Sequence, residues 1–331
     1  MSRYDKIANN IDWGLLSTTL ALIAVGLLCL YSAVRLTEVS IFFKQLLWIS
    51  AAFVVMIVAF LVDYRAHMRL AWPMYVLMVL GVAAVLFVGR EISGARRWIS
   101  LGFVSIQPSE FAKIIIIIWM AYWSEKKIQI ESYGMKDLIL PAIFILLPVG
   151  LILLEPDLGT AGIVAMIAVI MLLLLGVRRS TVISLGALFL SALPFAWLTL
   201  KDYQRNRILT FLDPSRDPLG TGYHATQSKI AVGSGGLWGK GYLQGTQTQL
   251  SFLPEHHTDF IFSVVAEEWG FAGTAILILL YIILVTKIIQ VGYRAKDRFG
   301  SMICFGIAGY FTLHIFINIS MAIGIFPVVG V

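Results

Sequence analysis

Long apolar stretches recur along the whole chain, and short polar segments separate them. A helix rises about 1.5 Å per residue, so about 20 apolar residues cross a hydrocarbon layer about 30 Å thick. The pattern predicts an all-α, polytopic bundle of transmembrane helices that forms one integral membrane domain over 1–331. The nine predicted spans are 13–33, 46–62, 70–88, 109–123, 138–154, 158–177, 181–200, 271–289 and 301–325.

The composition supports a membrane protein. Of the 331 residues, 59% are hydrophobic and 13% are charged, whereas soluble domains average about 45–50% apolar and about 25% charged residues. Cys29 and Cys304 both lie inside apolar stretches, which predicts buried thiols and no disulfide framework. We treat the net charge of +6 as a signal of membrane topology and expect no nucleic-acid partner.

The basic residues indicate the orientation in the membrane. With the N-terminus in the cytoplasm, the inner segments hold most of the basic residues, and the short outer loops hold only Arg35, Arg90, Arg96 and Arg97. This distribution predicts a multi-pass protein of a bacterial inner membrane with a cytoplasmic N-terminus. Arg90, Arg96 and Arg97 lie in one outer loop, contrary to the rule that basic residues favour the cytoplasmic side. They either have a functional role or lie near lipid headgroups.

One long polar segment, 201–258, interrupts the apolar pattern between the seventh and eighth predicted spans. It is predicted to form a large extracytoplasmic loop, where nucleotide-activated sugars are absent and a substrate must arrive already activated. Its many glycines allow close backbone approach and expose amide groups that can bind an anion. Together with four basic residues they predict a phosphate or pyrophosphate site, with a flexible surface loop as the alternative. These residues are Arg205, Arg207, Lys229 and Lys240.

Asp259 follows this segment directly and precedes an apolar stretch. A single helix over 259–291 would be about 50 Å long, so its first turns are expected at the outer interface. A carboxylate there is partly desolvated and can act as a base near neutral pH, or it can cap the helix. The neighbouring Glu255, His256 and His257 do not predict a zinc site, although a loosely held divalent cation stays open.

Two further groups of charged residues are candidates for function. Glu110 and Lys113 share a helix face, which predicts an ion pair that organises the helices, with direct substrate contact as the alternative. Glu155 and Asp157 lie in the outer turn between the fifth and sixth predicted spans. They are expected either to face the same cavity as Asp259 or, for Asp157, to cap the next helix.

Several motifs, in order, resemble the SEDS family (shape, elongation, division and sporulation) over essentially the whole chain, and its rod-shape members more than its division members. The motifs are GARRWISLG at 94–102, QPSE at 107–110 with Lys113, EPDLGT at 155–160, the Asp213-Pro and Asp217-Pro pairs, GSGG at 233–236, GTQ at 245–247 and LPEHHTDFIF at 253–262.

This resemblance implies a peptidoglycan glycosyltransferase that polymerises lipid II at the outer face of the membrane. It implies a class B penicillin-binding transpeptidase and other cell-elongation proteins as partners, and it assigns Asp259 as the general base. Trp98, Glu155 and Asp157 join the four basic residues as candidate substrate-binding residues. The four basic residues, or a Mg or Mn ion, would stabilise the departing undecaprenyl pyrophosphate. The family has ten spans, so the chain ending at Val331 is expected to lack the tenth.

Two other functions remain open at this point. A lipid II flippase would use Glu110 and Lys113 to line a polar path and would need no general base. A non-catalytic scaffold for the transpeptidase would tolerate the loss of the Asp259 carboxylate.

Overall fold

The computed structural model describes residues 11–92, 95–100, 105–127, 132–218, 220–250, 252 and 257–328. Most of them form helices, which confirms the expected helical architecture. We number the helices in chain order as α1 (Trp13–Val34), α2 (Val39–Leu61), α3 (Tyr64–Val88), α4 (Pro108–Lys126), α5 (Met135–Leu154), α6 (Leu158–Leu174), α7 (Arg179–Thr199), α8 (Asp202–Leu212), α9 (Thr221–Ser234), α10 (Thr246–Gln249), α11 (Ile261–Tyr293) and α12 (Arg298–Ala322).

Within the described ranges, six helices are long and apolar enough to cross a membrane: α1, α2, α3, α5, α11 and α12. Two shorter apolar helices, Leu158–Leu174 and Arg179–Phe195, lie between them in the chain. The many large apolar side chains that remain exposed on these helices fit a lipid environment. The chain is therefore a polytopic membrane protein, and the count of nine spans stays a prediction.

A small antiparallel sheet separates α3 from α4. Its strands are β1 (Arg90–Ile92), β2 (Ala95–Ser100) and β3 (Ser105–Ile106), in the order β1-β2-β3. The fold is mostly helical, as predicted, and this sheet is an addition that the sequence analysis did not predict. Strands this short do not produce a periodic pattern that stands out beside long apolar helices.

The contacts group the chain into two compact units. Among the described residues, the first unit comprises 11–57, 202–288 and 314–328, and the second comprises 58–201 and 289–313. The expectation of one integral membrane domain stays a prediction.

In the second unit, α4 is the central helix, and α3, α5 and α6 pack against it. Its residues Ile116, Trp119 and Met120 are fully buried. The Trp119 ring lies 4.8 Å from that of Phe144 on α5, and such aromatic pairs add packing energy beyond area burial. Because α4 is buried on most sides, a charged side chain on it requires a partner.

In the first unit, α11 is not one continuous helix. Its backbone leaves helical geometry at Gly270, where φ is +66°. The long continuous helix considered from the sequence is therefore interrupted, and a second helical stretch follows from Phe271 onward. The break creates free backbone groups, and a segment of the long polar region binds them. The amides of Phe271 and Ala272 donate to the carbonyls of Gly236 and Leu237 at 2.9 and 3.0 Å.

Candidate functional site

Asp259 lies in a turn of the first unit, directly before α11. It is half-buried and adjoins Phe260, which is completely buried. Because α11 begins at Ile261, Phe260 occupies the position immediately before the helix and Asp259 lies one residue earlier. His257, two residues before Asp259 in sequence, is half-buried. Glu255 and His256 lie outside the described residues.

Helix α9 is fixed beside the first turn of α11 by a buried hydroxyl pair. Ser228 and Ser263 have no exposed surface, and their Oγ atoms are 2.7 Å apart. Ser228 donates to the carbonyl of Ala322 at 2.6 Å, so Ser263 is the donor within the pair. The ring of Phe260 also contacts that of His224 on α9. The segment that carries Asp259 is therefore held by α9 and by the end of α12.

The structure separates the four basic candidates of the polar segment. Arg207 on α8 and Lys229 on α9 line the same pocket, although they are far apart in sequence. Arg205 lies on the same helix as Arg207, is half-buried and interacts with a neighbouring group. The apolar part of the pocket wall includes Phe211, Pro214, Phe326 and Pro327.

Lys240 has a protein partner. Its Nζ lies 2.7 Å from Oε1 of Glu267, which is completely buried. The same carboxylate accepts hydrogen bonds from the amides of Gln247 and Thr248 at 2.9 and 3.3 Å. The sequence predicted that amides of this glycine-rich region bind a substrate anion. The amides of Gln247 and Thr248 bind the carboxylate of Glu267 instead.

In the second unit, the turn between α5 and α6 carries a buried acid group. Asp157 caps α6, since it accepts from the Thr160 amide at 3.2 Å. It also accepts from Nε2 of Gln107 at 3.1 Å and lies 3.9 Å from Nη1 of Arg97. Of the two alternatives for Asp157, the structure shows the helix cap.

Glu155 begins the same turn and is 1% exposed. Neither of its carboxylate oxygens has a hydrogen-bond partner in the described part of the chain. Burial raises its pKa to about 8, the negative charge of Asp157 adds to the rise, and Arg97 opposes it. A carboxyl group in this environment is neutral at pH 7 and can donate a hydrogen bond.

The strand β2 supplies two residues to this region. Arg97 donates from Nη2 to the carbonyl of Pro156 at 2.6 Å, so this arginine holds the turn. Trp98 is half-buried and pairs across the sheet with the backbone of Arg90. Gln107 was not among the predicted site residues, and its only sequence signal was its place in the QPSE motif.

Glu110 and Lys113 lie within ion-pair distance on α4. The Lys113 ammonium is 2.8 Å from Oε1 of Glu110, and the two side chains are 1% and 44% exposed. The pair therefore joins a buried cation to a carboxylate at the edge of the packed region. Whether its role is structural stays a prediction.

The described residues offer no cluster of ligands for a divalent cation. No three His, Cys, Asp or Glu side chains come together among them. The neighbouring carboxylates of Glu155 and Asp157 already share the positive charge of Arg97. This donor set does not fit a dedicated metal site, because hard divalent cations require several oxygen ligands.

Comparison with known proteins places the chain in a family. The sequence profile of the FtsW/RodA/SpoVE cell cycle proteins matches residues 12–331. The chain belongs to this family. The resemblance to the SEDS proteins is thereby confirmed.

Relatives of this family member match over almost its full length. The peptidoglycan glycosyltransferase MrdB of Escherichia coli (strain K12) is 38% identical over 329 residues, which cover 99% of this chain and 88% of MrdB. A chain of a peptidoglycan synthase complex, solved to explain how polymerization and crosslinking are coordinated, superposes with a TM-score of 0.83 at 32% identity and covers 97% and 90% of the two chains. RodA of Thermus thermophilus superposes with a TM-score of 0.71 at 29% identity, covering 97% and 88%.

Proposed function

We propose that this protein polymerises lipid II into β-1,4-linked glycan strands, with Asp259 as the general base. The enzyme class expected from the sequence, a peptidoglycan glycosyltransferase, is the class named for the Escherichia coli relative. The observation that supports the site is the position of Asp259. It is a half-buried carboxylate where the long polar segment meets α11, and partial desolvation favours a base of moderate strength.

The proposed reaction needs one base and one leaving group. The Asp259 carboxylate takes the proton from the acceptor 4-hydroxyl. At the same time, the oxygen of that hydroxyl forms a bond to the anomeric carbon of the donor. The bond from that carbon to the pyrophosphate oxygen breaks, and its electron pair leaves with undecaprenyl pyrophosphate. Attack opposite to the leaving group inverts the α-linked donor to a β-linked product, so no second catalytic carboxylate is required.

Positive charge near the departing pyrophosphate lowers the barrier because it stabilises charge that develops in the transition state. The basic residues proposed for this role are Arg205, Arg207, Lys229 and Lys240. A divalent cation, Mg²⁺ or Mn²⁺, would supply the same kind of charge. Trp98, Glu155 and Asp157 are proposed to contact the substrate.

The topology and the partners belong to the same proposal. We place nine spans in a bacterial inner membrane, with the N-terminus in the cytoplasm and 201–258 on the outer face. A class B penicillin-binding transpeptidase and other elongation proteins are proposed as partners, together with lipid II as substrate. The likeness to a chain from a complex that also crosslinks peptidoglycan supports such a partner.

The test is polymer formation from purified lipid II by the protein with its transpeptidase partner. Asp259→Asn is expected to abolish polymer while the protein still folds and binds the partner. Asp202→Asn is a matched control, since Asp202 is an exposed carboxylate of the same polar segment, and it should polymerise normally. Full polymerisation by Asp259→Asn contradicts the base assignment. Transport of lipid II without polymerisation by the unaltered protein would favour the flippase.

A further inference from the structure

One pocket of the first unit combines two cations with an apolar wall. Helix α8 contributes Arg207 and Phe211, which are four residues apart and share one helix face. Helix α9 contributes Lys229. Phe326 and Pro327, which follow α12, complete the apolar side. No acidic side chain is among the described residues that line this pocket.

Two other basic residues of the polar segment have a carboxylate partner. Lys240 pairs with Glu267, and Arg216 pairs with Asp213. Within the described residues, neither Arg207 nor Lys229 forms an ion pair of this kind. Two unneutralised cations at one pocket leave an excess of positive charge, which favours an anionic ligand.

The end of α12 shapes the position of Lys229. Gly324 has φ of +72°, and a Cβ built there would overlap the end of the Lys229 side chain. The methylene groups of Lys229 therefore pack over the backbone at Gly324, and a long side chain can cover apolar surface while its charged end stays accessible. The pocket is a defined arrangement of three segments that are distant in sequence.

We propose that this pocket binds the pyrophosphate of a polyprenyl-linked donor, with Arg207 and Lys229 as the two cations and the apolar wall against the first prenyl units. This inference rests on the proposed function and names the leaving-group site within it. A guanidinium binds phosphate oxygens in bidentate fashion and an ammonium adds a compact charge. The ligand class is an apolar chain that ends in a phosphate or pyrophosphate group.

The pocket is connected to the segment that carries Asp259. Lys229 directly follows Ser228, whose hydroxyl is paired with that of Ser263 on α11. Ser263 lies four residues after Asp259. The buried hydroxyl pair thus fixes the helix that bears one pocket cation against the helix that follows the proposed base.

The proposal is tested by the binding of geranylgeranyl pyrophosphate to the purified full chain in detergent. Arg207→Gln and Lys229→Gln are each expected to weaken binding about tenfold, because each removes a charge-assisted interaction. Arg216→Gln removes the same charge from an exposed position nearby and should leave the affinity unchanged. Equal affinity of all three variants and the unaltered protein would overturn the assignment.

Three further ligands distinguish the sources of the anion. Inorganic pyrophosphate and geranylgeraniol, which carry only one half of the proposed ligand each, should bind more weakly than the prenyl pyrophosphate. Phosphatidylglycerol should compete poorly. If it competes as well as the prenyl pyrophosphate, the pocket holds an ordinary membrane lipid and the proposal is wrong. If inorganic pyrophosphate binds equally tightly, the apolar wall has no part in recognition and the lipid assignment fails.

The same binding measurement on Asp259→Asn separates this inference from the proposed reaction. Binding should persist in that variant, because Asp259 is not among the residues that line the pocket. If the variant polymerises lipid II yet binding still depends on Arg207 and Lys229, the base assignment fails and the pocket stands. If binding is independent of both cations while Asp259→Asn abolishes polymerisation, the pocket fails and the base assignment stands.

Discussion

Lys240 and Glu267 form an ion pair with 2.7 Å between Nζ and Oε1, and the carboxylate is completely buried. The hydroxyls of Thr246 and Thr248 also donate to Glu267, each at 3.2 Å. The pair is therefore part of a hydrogen-bond network that attaches the glycine-rich region to α11. A charge removed from such a network leaves its partner uncompensated.

We predict that Lys240→Met lowers the free energy of unfolding by about 3 kcal/mol, because the Glu267 carboxylate then stays buried without its cation. The measurement is thermal unfolding of the purified protein in detergent. Arg216→Gln is the control, since it breaks a pair with Asp213 that is exposed on both sides, and its unfolding temperature should not change. A Lys240→Met variant that unfolds normally yet binds pyrophosphate lipid poorly would instead assign Lys240 to substrate.

Glu155 is expected to make the stability depend on pH. Its pKa is about 8 in the folded chain and about 4.3 in an unfolded one, so the folded state holds the proton more tightly. This contribution to stability is complete below the unfolded pKa of about 4.3. It is lost progressively as the pH rises through the folded pKa of about 8. Raising the pH from 6 to 9 should therefore lower the unfolding temperature.

Glu155→Gln tests this pH dependence, because the amide has a similar shape and no titrating proton. The variant should unfold at a higher temperature than the unaltered protein at both pH values, and the difference should be larger at pH 9 than at pH 6. The difference reflects a carboxylate forced to ionise in a buried site beside Asp157. Parallel pH profiles for the two proteins would show that Glu155 is not the titrating group.

The break in α11 predicts a strict requirement for glycine at position 270. Its φ of +66° is unfavourable for other residues, and a Cβ would lie 2.8 Å from the carbonyl carbon and oxygen of Leu237. Gly270→Ala is expected to lower the free energy of unfolding by about 3 kcal/mol or more through strain and overlap. Limited proteolysis should then cleave the glycine-rich region faster.

Gly186→Ala is the matched control for this prediction. Gly186 lies on α7, and nothing stands within 4 Å of a Cβ built there. Alanine has a higher helix propensity than glycine, by about 1 kcal/mol, so this variant should be as stable as the unaltered protein or more so. Equal losses at both positions would mean that the Gly270 break has no special structural role.

The sequence predicts the long helices well because lipid imposes a simple rule on them. The predicted span 13–33 corresponds to α1, Trp13–Val34, since an unbroken apolar stretch has to satisfy its backbone hydrogen bonds internally. The break at Gly270 could not be predicted in the same way. Its partners, Gly236 and Leu237, are remote in the chain, and nothing in the local pattern of α11 indicates that they approach.

The candidate site was predicted in part. The acidic turn at 155–157 and the basic polar segment at 201–258 stand out because the rest of the sequence contains few charged residues. Which basic residue pairs with which acid depends on tertiary contacts, and Lys240 and Arg207 look alike in the sequence although only Lys240 has a buried carboxylate beside it. The raised pKa of Glu155 likewise depends on burial that a turn motif does not reveal.

The last prediction concerns the asymmetry of the Glu110 and Lys113 pair. Lys113 is 1% exposed, whereas Glu110 is 44% exposed. Glu110→Gln leaves an ammonium buried on α4 without its counter-charge, which is expected to cost about 3 kcal/mol of unfolding free energy. Lys113→Met removes the buried charge and leaves a carboxylate that solvent or headgroups can reach, so its loss should be clearly smaller.

Thermal unfolding of Glu110→Gln, Lys113→Met and the double variant in the same detergent measures this asymmetry. The double variant should recover most of the stability lost in Glu110→Gln, because no buried charge remains. Polymerisation by the double variant then separates two roles for the pair. Normal stability with normal activity excludes a contact of lipid II with either side chain, whereas normal stability with lost activity supports such a contact.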